Sequence, residues 1–182
     1  MLRKLNVNEL ERLDRDHYRR SDKMPLVVVL DNVRSLYNVG SVFRTADSFR
    51  IKKIILCGIT ATPDNSQIEI HKTALGAEQT VEWIYYANSV DAVLDLKTLG
   101  YKVIAVEQVK NSEKLDSFII ETNQKYALIF GNEVKGVGQN VVNISDSALE
   151  IPQFGTKHSL NVSVCAGIVL WEFAKQYVSI FR

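Results

Sequence analysis

The sequence predicts an α/β fold in which helices cover both faces of a mostly parallel sheet. The chain has 182 residues, 46% hydrophobic and 24% charged, which suits one globular domain with a full core. Several short runs, such as Leu26–Leu30, are apolar and rich in β-branched residues, as strands buried on both faces should be. These runs alternate with segments of helical periodicity, and that alternation indicates a parallel sheet.

The first third of the chain is expected to begin with an amphipathic helix over Asn6–Arg20. Its apolar stripe would consist of Val7, Leu10, Leu13 and Tyr18. A polar loop over Asp31–Tyr37 follows the first strand. The next predicted elements are a helix over Val39–Phe49 and a buried strand over Lys53–Cys57.

The rest of the chain continues the alternation after a loop over residues 58–66. The predicted strands are Thr80–Tyr85, Tyr101–Val106, Tyr126–Phe130 and Ala148–Ile151. The predicted helices run from Asn88 or Ser89 to Gly100, over Leu115–Ile120 and over Ser159–Val178. Because ligands bind beyond the carboxyl ends of parallel strands, the loops that follow the strands should carry the function.

Composition narrows the classes of function. A net charge of +1 argues against a uniformly basic nucleic-acid binder. The three histidines and the cysteines Cys57 and Cys165 show no metal-ligand spacing, so no metal site is expected. Both cysteines lie in apolar stretches, which favours buried thiols in a reducing cytoplasm. No apolar run is long enough to span a membrane, and no secretory signal is recognisable.

Basic residues are concentrated near the N-terminus and end in the cluster Arg19, Arg20 and Lys23. One interpretation is an arm that contacts phosphate groups. The other is a solvated helix whose cations are balanced by acidic neighbours such as Asp14 and Asp16. The sequence leaves both open.

Three loops carry polar residues at strand ends or helix starts. Asn38 begins a helix, and Arg44 follows six residues later. Taken alone, these two residues could be a helix cap and a surface ion-pair partner. In the second loop, Gly131 allows close approach to the backbone, and Glu133 could be catalytic or could answer a helix dipole. This loop matches neither the Walker pattern nor the dinucleotide fingerprint.

The third loop is the segment Ile151–Val164, which bends at Gly155 and enters a long apolar helix. Ser159, Asn161 and Ser163 place three hydrogen-bonding side chains at that helix start, where one would suffice as a cap. Free backbone N–H groups are available there as well. The pattern indicates a site on the helix N-terminus, although a capped core helix would also explain it.

The three loops contain, in this order, the motifs N-x-G-x-x-x-R-T-A, G-N-E, and I-P followed by S-L-N-V-S-V. Together these motifs closely resemble those of the SpoU/TrmH family, and the resemblance covers about Leu26–Phe173. These are S-adenosylmethionine-dependent RNA ribose 2′-O-methyltransferases of the SPOUT class. The resemblance implies a deep C-terminal trefoil knot and a homodimer packed partly through the terminal helix, with Trp171, Phe173 and Tyr177 supplying contact area. Intrachain burial of these three rings is the alternative. Residues 1–24 would be an N-terminal helical extension and residues 25–182 the methyltransferase domain.

The same resemblance implies roles for individual residues. Those expected in the active site are Asn38, Arg44, Glu133, Ser159 and Asn161. Those expected to enclose the cofactor's adenosine are Gly131, Ile151 and Leu160. Two departures are Val134, where many members have Gly, and His158, whose role is left open. No residue of the loop after Val106 is assigned.

Arg44 is expected to act as a fixed cation that stabilises the developing alkoxide, because a guanidinium stays protonated. The substrate would be a structured RNA, with tRNA preferred over rRNA on account of the small size and N-terminal helix. The alternatives are a base-methylating SPOUT enzyme and a catalytically silent RNA-binding or assembly factor.

Overall fold

A computed structural model of the chain describes residues 2–65, 67–121 and 123–181. Its strands are β1 (Met24–Asp31), β2 (Ile51–Cys57), β3 (Trp83–Tyr86), β4 (Tyr101–Val106), β5 (Glu113–Lys114), β6 (Lys125–Phe130) and β7 (Ser147–Glu150). They form one sheet in the order β3-β2-β1-β6-β4-β7-β5. Every neighbouring pair is parallel, so the predicted parallel sheet is confirmed.

Helices cover both faces of this sheet, as predicted. They are α1 (Arg15–Arg20), α2 (Leu36–Ser48), α3 (Gln67–Ala74), α4 (Ser89–Thr98), α5 (Gln139–Ile144) and α6 (Val162–Phe181). Side chains alternate across each strand. Val28 of β1 therefore joins a core cluster with α2 and α6. Its neighbour Val29 joins the opposite cluster with α4 and α5.

The predicted N-terminal helix is wrong in its length. The structure has a 3₁₀ turn over Val7–Glu9 and then α1, with Glu11 between them at a positive φ of 47°. The break arises because the Asp14 carboxylate accepts a hydrogen bond from the His17 backbone N–H and caps α1. The predicted stripe does not form: Leu10 and Leu13 are exposed and Tyr18 is buried. The Val7 side chain lies outside the described part.

Other boundaries differ more modestly from the predictions. A 3₁₀ turn over Ala77–Gln79 delays the predicted third strand to Trp83. The terminal helix begins at Val162 rather than at Ser159. The short helix predicted over Leu115–Ile120 is a 3₁₀ turn over Leu115–Ser117. The sequence analysis missed α3, α5 and the two-residue β5.

The aromatic residues of α6 divide between two environments. Phe173 stacks on Phe118 with ring centroids 5.4 Å apart, and Tyr177 is fully buried and donates its hydroxyl hydrogen bond to the Gln124 carbonyl. The expectation that these two rings form an intermolecular contact is therefore wrong, because they fill the chain's own core. Trp171 differs, since 53% of it is exposed.

Candidate functional site

A cavity of about 520 Å³ lies where the carboxyl ends of β4, β6 and β7 meet the segment that leads into α6. We call it the strand-end cavity. Gly131, Ile151 and Leu160, the three residues expected to enclose the cofactor's adenosine, all line it. Its other apolar lining side chains include Val106, Leu149 and Cys165. Burial raises the pKa of the Cys165 thiol to about 12, so this group lines the cavity as a neutral apolar surface.

Gly131 is required by close backbone packing at the floor of this cavity. A Cβ atom there would lie 2.1 Å from the carbonyl carbon of Gly136 and from the nitrogen of Val137. The turn after Gly131 closes on itself, because Asn132 and Gly136 exchange backbone hydrogen bonds of 3.0 and 2.9 Å. Gly136 has a φ of +68°, where a side chain would be strained. The loop is therefore compact and fixed.

Glu133 connects this loop to the start of α2. Its carboxylate accepts hydrogen bonds from the backbone N–H groups of Arg34 at 3.0 Å and Ser35 at 2.9 Å, and from Asn38 Nδ2 at 3.0 Å. Burial opposes ionisation, but these three donors outweigh it and lower the pKa of Glu133. Glu133 is thus an ionised carboxylate that binds the two backbone N–H groups just before α2, and it is a weak base.

Asn38 is held from both ends of its amide. Its Nδ2 donates to Glu133, and its Oδ1 accepts from Asn161 Nδ2 at 3.2 Å. Asn161 in turn caps α6, because its Oδ1 accepts from the backbone N–H of Ser163 at 2.9 Å and from the Ser163 hydroxyl at 2.7 Å. One hydrogen-bonded chain therefore joins the three loops, from Glu133 through Asn38 to Asn161.

The structure brings most of the predicted active-site residues together. Glu133, Ser159 and Asn161 line the strand-end cavity, and Asn38 bonds two of them. Arg44 lies six residues further along α2, about 9 Å along the helix axis. Its side chain is exposed and, within the described ranges, its guanidinium forms no hydrogen bond or ion pair. The Arg44 guanidinium can therefore bind another molecule, whereas both ends of the Asn38 amide are already hydrogen-bonded within the chain.

The sequence analysis missed the residues that form the wall after β4. The Glu107 carboxylate accepts from the Val137 backbone N–H at 2.9 Å, and Gln108 Nε2 donates to the His158 carbonyl at 2.9 Å. Both side chains line the cavity. Their position directly after a buried strand was the available signal. His158 lines the cavity too, and its carbonyl contributes to holding the loop.

The basic N-terminal residues are partly engaged within the chain. Arg19 donates to the Gln79 carbonyl at 3.0 Å. The Lys23 ammonium donates to the Tyr18 carbonyl, lies 3.8 Å from the centre of the Tyr18 ring, and has a pKa lowered by burial and by Arg50. Arg20 is exposed. A phosphate-contacting arm therefore stays a prediction, with Arg20 its least engaged member.

Residues 2–65, 67–121 and 123–181 contain neither a metal-binding cluster nor a membrane-spanning helix. No cluster of His, Cys, Asp or Glu side chains there is arranged to hold a metal ion. No helix in the same ranges has both the length and the apolar character needed to cross a membrane.

This fold and this site define a class of protein. The sequence matches the model of the SpoU rRNA methylase family over residues 25–171, and the chain belongs to that family. Among its relatives is a 23S rRNA (guanosine-2′-O-)-methyltransferase of Neisseria meningitidis serogroup B, which is 32% identical over 159 residues, covering 85% of this chain and 60% of the relative.

A tRNA (guanosine(18)-2′-O)-methyltransferase of Aquifex aeolicus is 29% identical, over 83% of this chain and 69% of the relative. A crystal structure of the A. aeolicus TrmH/SpoU tRNA modifying enzyme superposes with a TM-score of 0.78 at 28% identity, covering 92% of this chain and 82% of that one. An AdoMet-bound rRNA methyltransferase from Sinorhizobium meliloti gives 0.76 at 27% identity, over 88% and 59% of the two chains. The chain thus spans about three fifths of the length of the N. meningitidis relative.

Proposed function

We propose that the protein transfers a methyl group from S-adenosylmethionine to a ribose 2′-hydroxyl of a structured RNA. The observation that carries the proposal is the hydrogen-bonded chain Glu133–Asn38–Asn161 at the edge of the strand-end cavity. It joins all three motifs at one place. Relatives named as guanosine-2′-O-methyltransferases of rRNA and of tRNA support the same reaction.

The strand-end cavity suits S-adenosylmethionine in size and in lining. Its volume of about 520 Å³ falls within the range of about 300–1,000 Å³ usual for small-molecule sites. Gly131, Ile151 and Leu160 would hold the nucleoside, since they combine bare backbone with apolar side chains. The carboxylates of Glu107 and Glu133 at its wall favour a cationic sulfonium. When bound, the cofactor supplies an already activated methyl group.

The protein's task is then to place the acceptor and to stabilise its developing charge. We assign the second role to Arg44, whose exposed guanidinium lies on the same helix as Asn38, about 9 Å further along its axis. Asn161 and Ser159 would orient the ribose at the cavity edge.

Glu133 is a positioning residue in this scheme. Its three donors and its lowered pKa make it a poor proton acceptor. It instead fixes the Asn38 amide so that the oxygen of Asn38 faces Asn161. The proton of the 2′-hydroxyl would pass to the adjacent RNA phosphate, held by Arg44.

We also propose that the chain acts as a homodimer through an exposed apolar stripe on α6. Val164, Ile168 and Trp171 recur at helical spacing and remain at least one-third exposed. We further propose a deep trefoil knot in the C-terminal part, as the resemblance to the SpoU/TrmH family implies. An experimental structure in which the C-terminal segment does not pass through a loop formed by the rest of the chain would contradict the knot.

The remaining assignments are proposals as well: residues 1–24 as an N-terminal extension, residues 25–182 as the methyltransferase domain, and the cytoplasm as the location, where the RNA substrate would be met. Relatives act by name on both rRNA and tRNA, so the preference for tRNA stays a prediction.

The test is to map the methylated atom. Purified protein, methyl-labelled S-adenosylmethionine and total RNA from cells that lack the gene are incubated, and the digested RNA is analysed by mass spectrometry. Label on a ribose 2′-oxygen supports the proposal, and the tRNA and rRNA fractions show which substrate is used. Label on a base would favour the base-methylating alternative. Cofactor binding without transfer to any RNA would favour the silent RNA-binding alternative.

A further inference from the structure

A second cavity of about 450 Å³ lies on the other side of the loop that bounds the strand-end cavity. We call it the loop cleft. Its walls are the segment after β1, with Asn32 and Arg34, the segment after β2, with Ile59, and the loop after β6, with Val134 and Lys135. Val134 and Lys135 line both cavities, so a single loop separates them.

The walls of the loop cleft are fixed by hydrogen bonds that link all three segments. Asn132 Nδ2 donates to the Asn32 carbonyl at 2.8 Å, and Asn132 Oδ1 accepts from the backbone N–H groups of Val134 and Lys135. The Asn32 side-chain oxygen accepts from the Ile59 backbone N–H at 3.2 Å. The cleft therefore exists without a ligand to organise it.

The groups that face the loop cleft suit a nucleotide. Arg34 and Lys135 have exposed side chains whose cationic groups form no hydrogen bond or ion pair in the ranges that the structure describes. Ile59 and Val134 are apolar but 63% and 80% exposed. Unpaired cations favour a phosphate, and exposed apolar side chains can pack against a base.

The loop cleft is joined to the reaction centre through backbone contacts. Arg34 lines the cleft with its side chain while its backbone N–H donates to Glu133 at 3.0 Å. Glu133 also accepts from Asn38. Arg34 is therefore the one residue between a molecule bound in the loop cleft and the Glu133–Asn38–Asn161 hydrogen-bonded chain.

We infer that the loop cleft binds the RNA nucleotide adjacent to the methylated ribose. Its phosphate would be held by Arg34 and Lys135, and its base would pack on Ile59 and Val134. This inference rests on the proposed function, because it assigns a binding site to that reaction's RNA. It makes the neighbouring nucleotide part of what the protein recognises.

The test compares Arg34→Ala and Lys135→Ala with Lys52→Ala. Lys52 is an exposed cation at the start of β2, at the opposite end of the sheet, so it matches the change in charge. The probe is the tRNA fraction from cells that lack the gene, and affinity is measured at several salt concentrations. Each cleft variant should bind about tenfold more weakly and lower the salt slope by about 0.7–0.9 per lost phosphate contact. Lys52→Ala should behave like the wild type.

Two further readouts separate the possible failures. Arg34 does not line the strand-end cavity, so Arg34→Ala should keep wild-type affinity for S-adenosylmethionine, which also verifies folding. RNA containing 4-thiouridine should crosslink to residues 32–34 or 132–136. Cleft variants that bind RNA as Lys52→Ala does, or crosslinks confined to other segments, would overturn the inference. Absence of methyl transfer by the wild type, with cleft crosslinks present, would refute the proposed function alone.

Discussion

Replacing Glu133 with Gln removes the charge but keeps the shape of the side chain that joins the loop after β6 to α2. The carboxylate accepts three hydrogen bonds, and one to a charged group contributes about 1.5–3 kcal/mol. Gln can keep its oxygen on Ser35 and Asn38, but its NH₂ group then faces the Arg34 N–H. Partial exposure lets water satisfy that donor, so we expect a loss of about 1–2 kcal/mol. The melting temperature should fall by about 2–8 °C.

The stability lost by Glu133→Gln should depend on pH. The folded-state pKa of Glu133 is lowered, so its stabilisation is fully present above the unfolded pKa and is lost as pH falls through the folded pKa. The difference in unfolding free energy between wild type and Glu133→Gln should be largest at neutral pH. It should shrink below about pH 4.3, the ordinary value for Glu.

Denaturant unfolding at neutral and acidic pH measures this difference. The matched control is Glu82→Gln. Glu82 is exposed and forms a long ion pair of 3.9 Å with Lys53, and such surface pairs contribute about 0–1 kcal/mol. Equal stability of the two variants at neutral pH, or a Glu133→Gln deficit that grows in acid, would refute the reasoning.

Three other changes test separate parts of the account. Arg44→Ala should lower methyl transfer at least 100-fold, because removal of a charge-stabilising group costs about 10²–10³ in rate. Calorimetry should show an affinity for S-adenosylmethionine within about twofold of the wild type, and a lost affinity would contradict the role assigned to Arg44. Gly131→Ala should lower the free energy of unfolding by about 1–3 kcal/mol and abolish cofactor binding, because its Cβ would overlap backbone atoms. The control Gly155→Ala has open space around its Cβ and should keep the stability and cofactor affinity of the wild type. Equal behaviour of the two variants would contradict the packing argument. Trp171→Glu should give monomers of 20.6 kDa in sedimentation where the wild type shows twice that mass; unchanged mass for the variant, or a monomeric wild type, would contradict the proposed interface.

Much of the sheet could be predicted because its signals are local. The strand Leu26–Leu30 is apolar on both faces, and it lies within β1 in the middle of the sheet. The helix predicted after it, over Val39–Phe49, corresponds to α2 (Leu36–Ser48). The short α3 was missed because it has no long apolar stripe.

The wall after β4 could not be assigned for a different reason. Glu107 and Gln108 act through partners far along the chain, Val137 and His158, and no pattern within the sequence pairs them. The break before α1 was missed because a helical apolar pattern outweighed the capping preference of Asp14. The hydrogen-bonded chain across the three motifs likewise emerges only from the fold.

The central claim is that one cavity holds the methyl donor beside the Glu133–Asn38–Asn161 chain. A crystal structure with S-adenosylhomocysteine, the product of methyl transfer, tests it most directly. We predict the nucleoside against Gly131, Ile151 and Leu160, with its sulfur atom facing Ser159 and Asn161. A nucleoside bound elsewhere, or a sulfur atom turned away from those two side chains, would contradict the account.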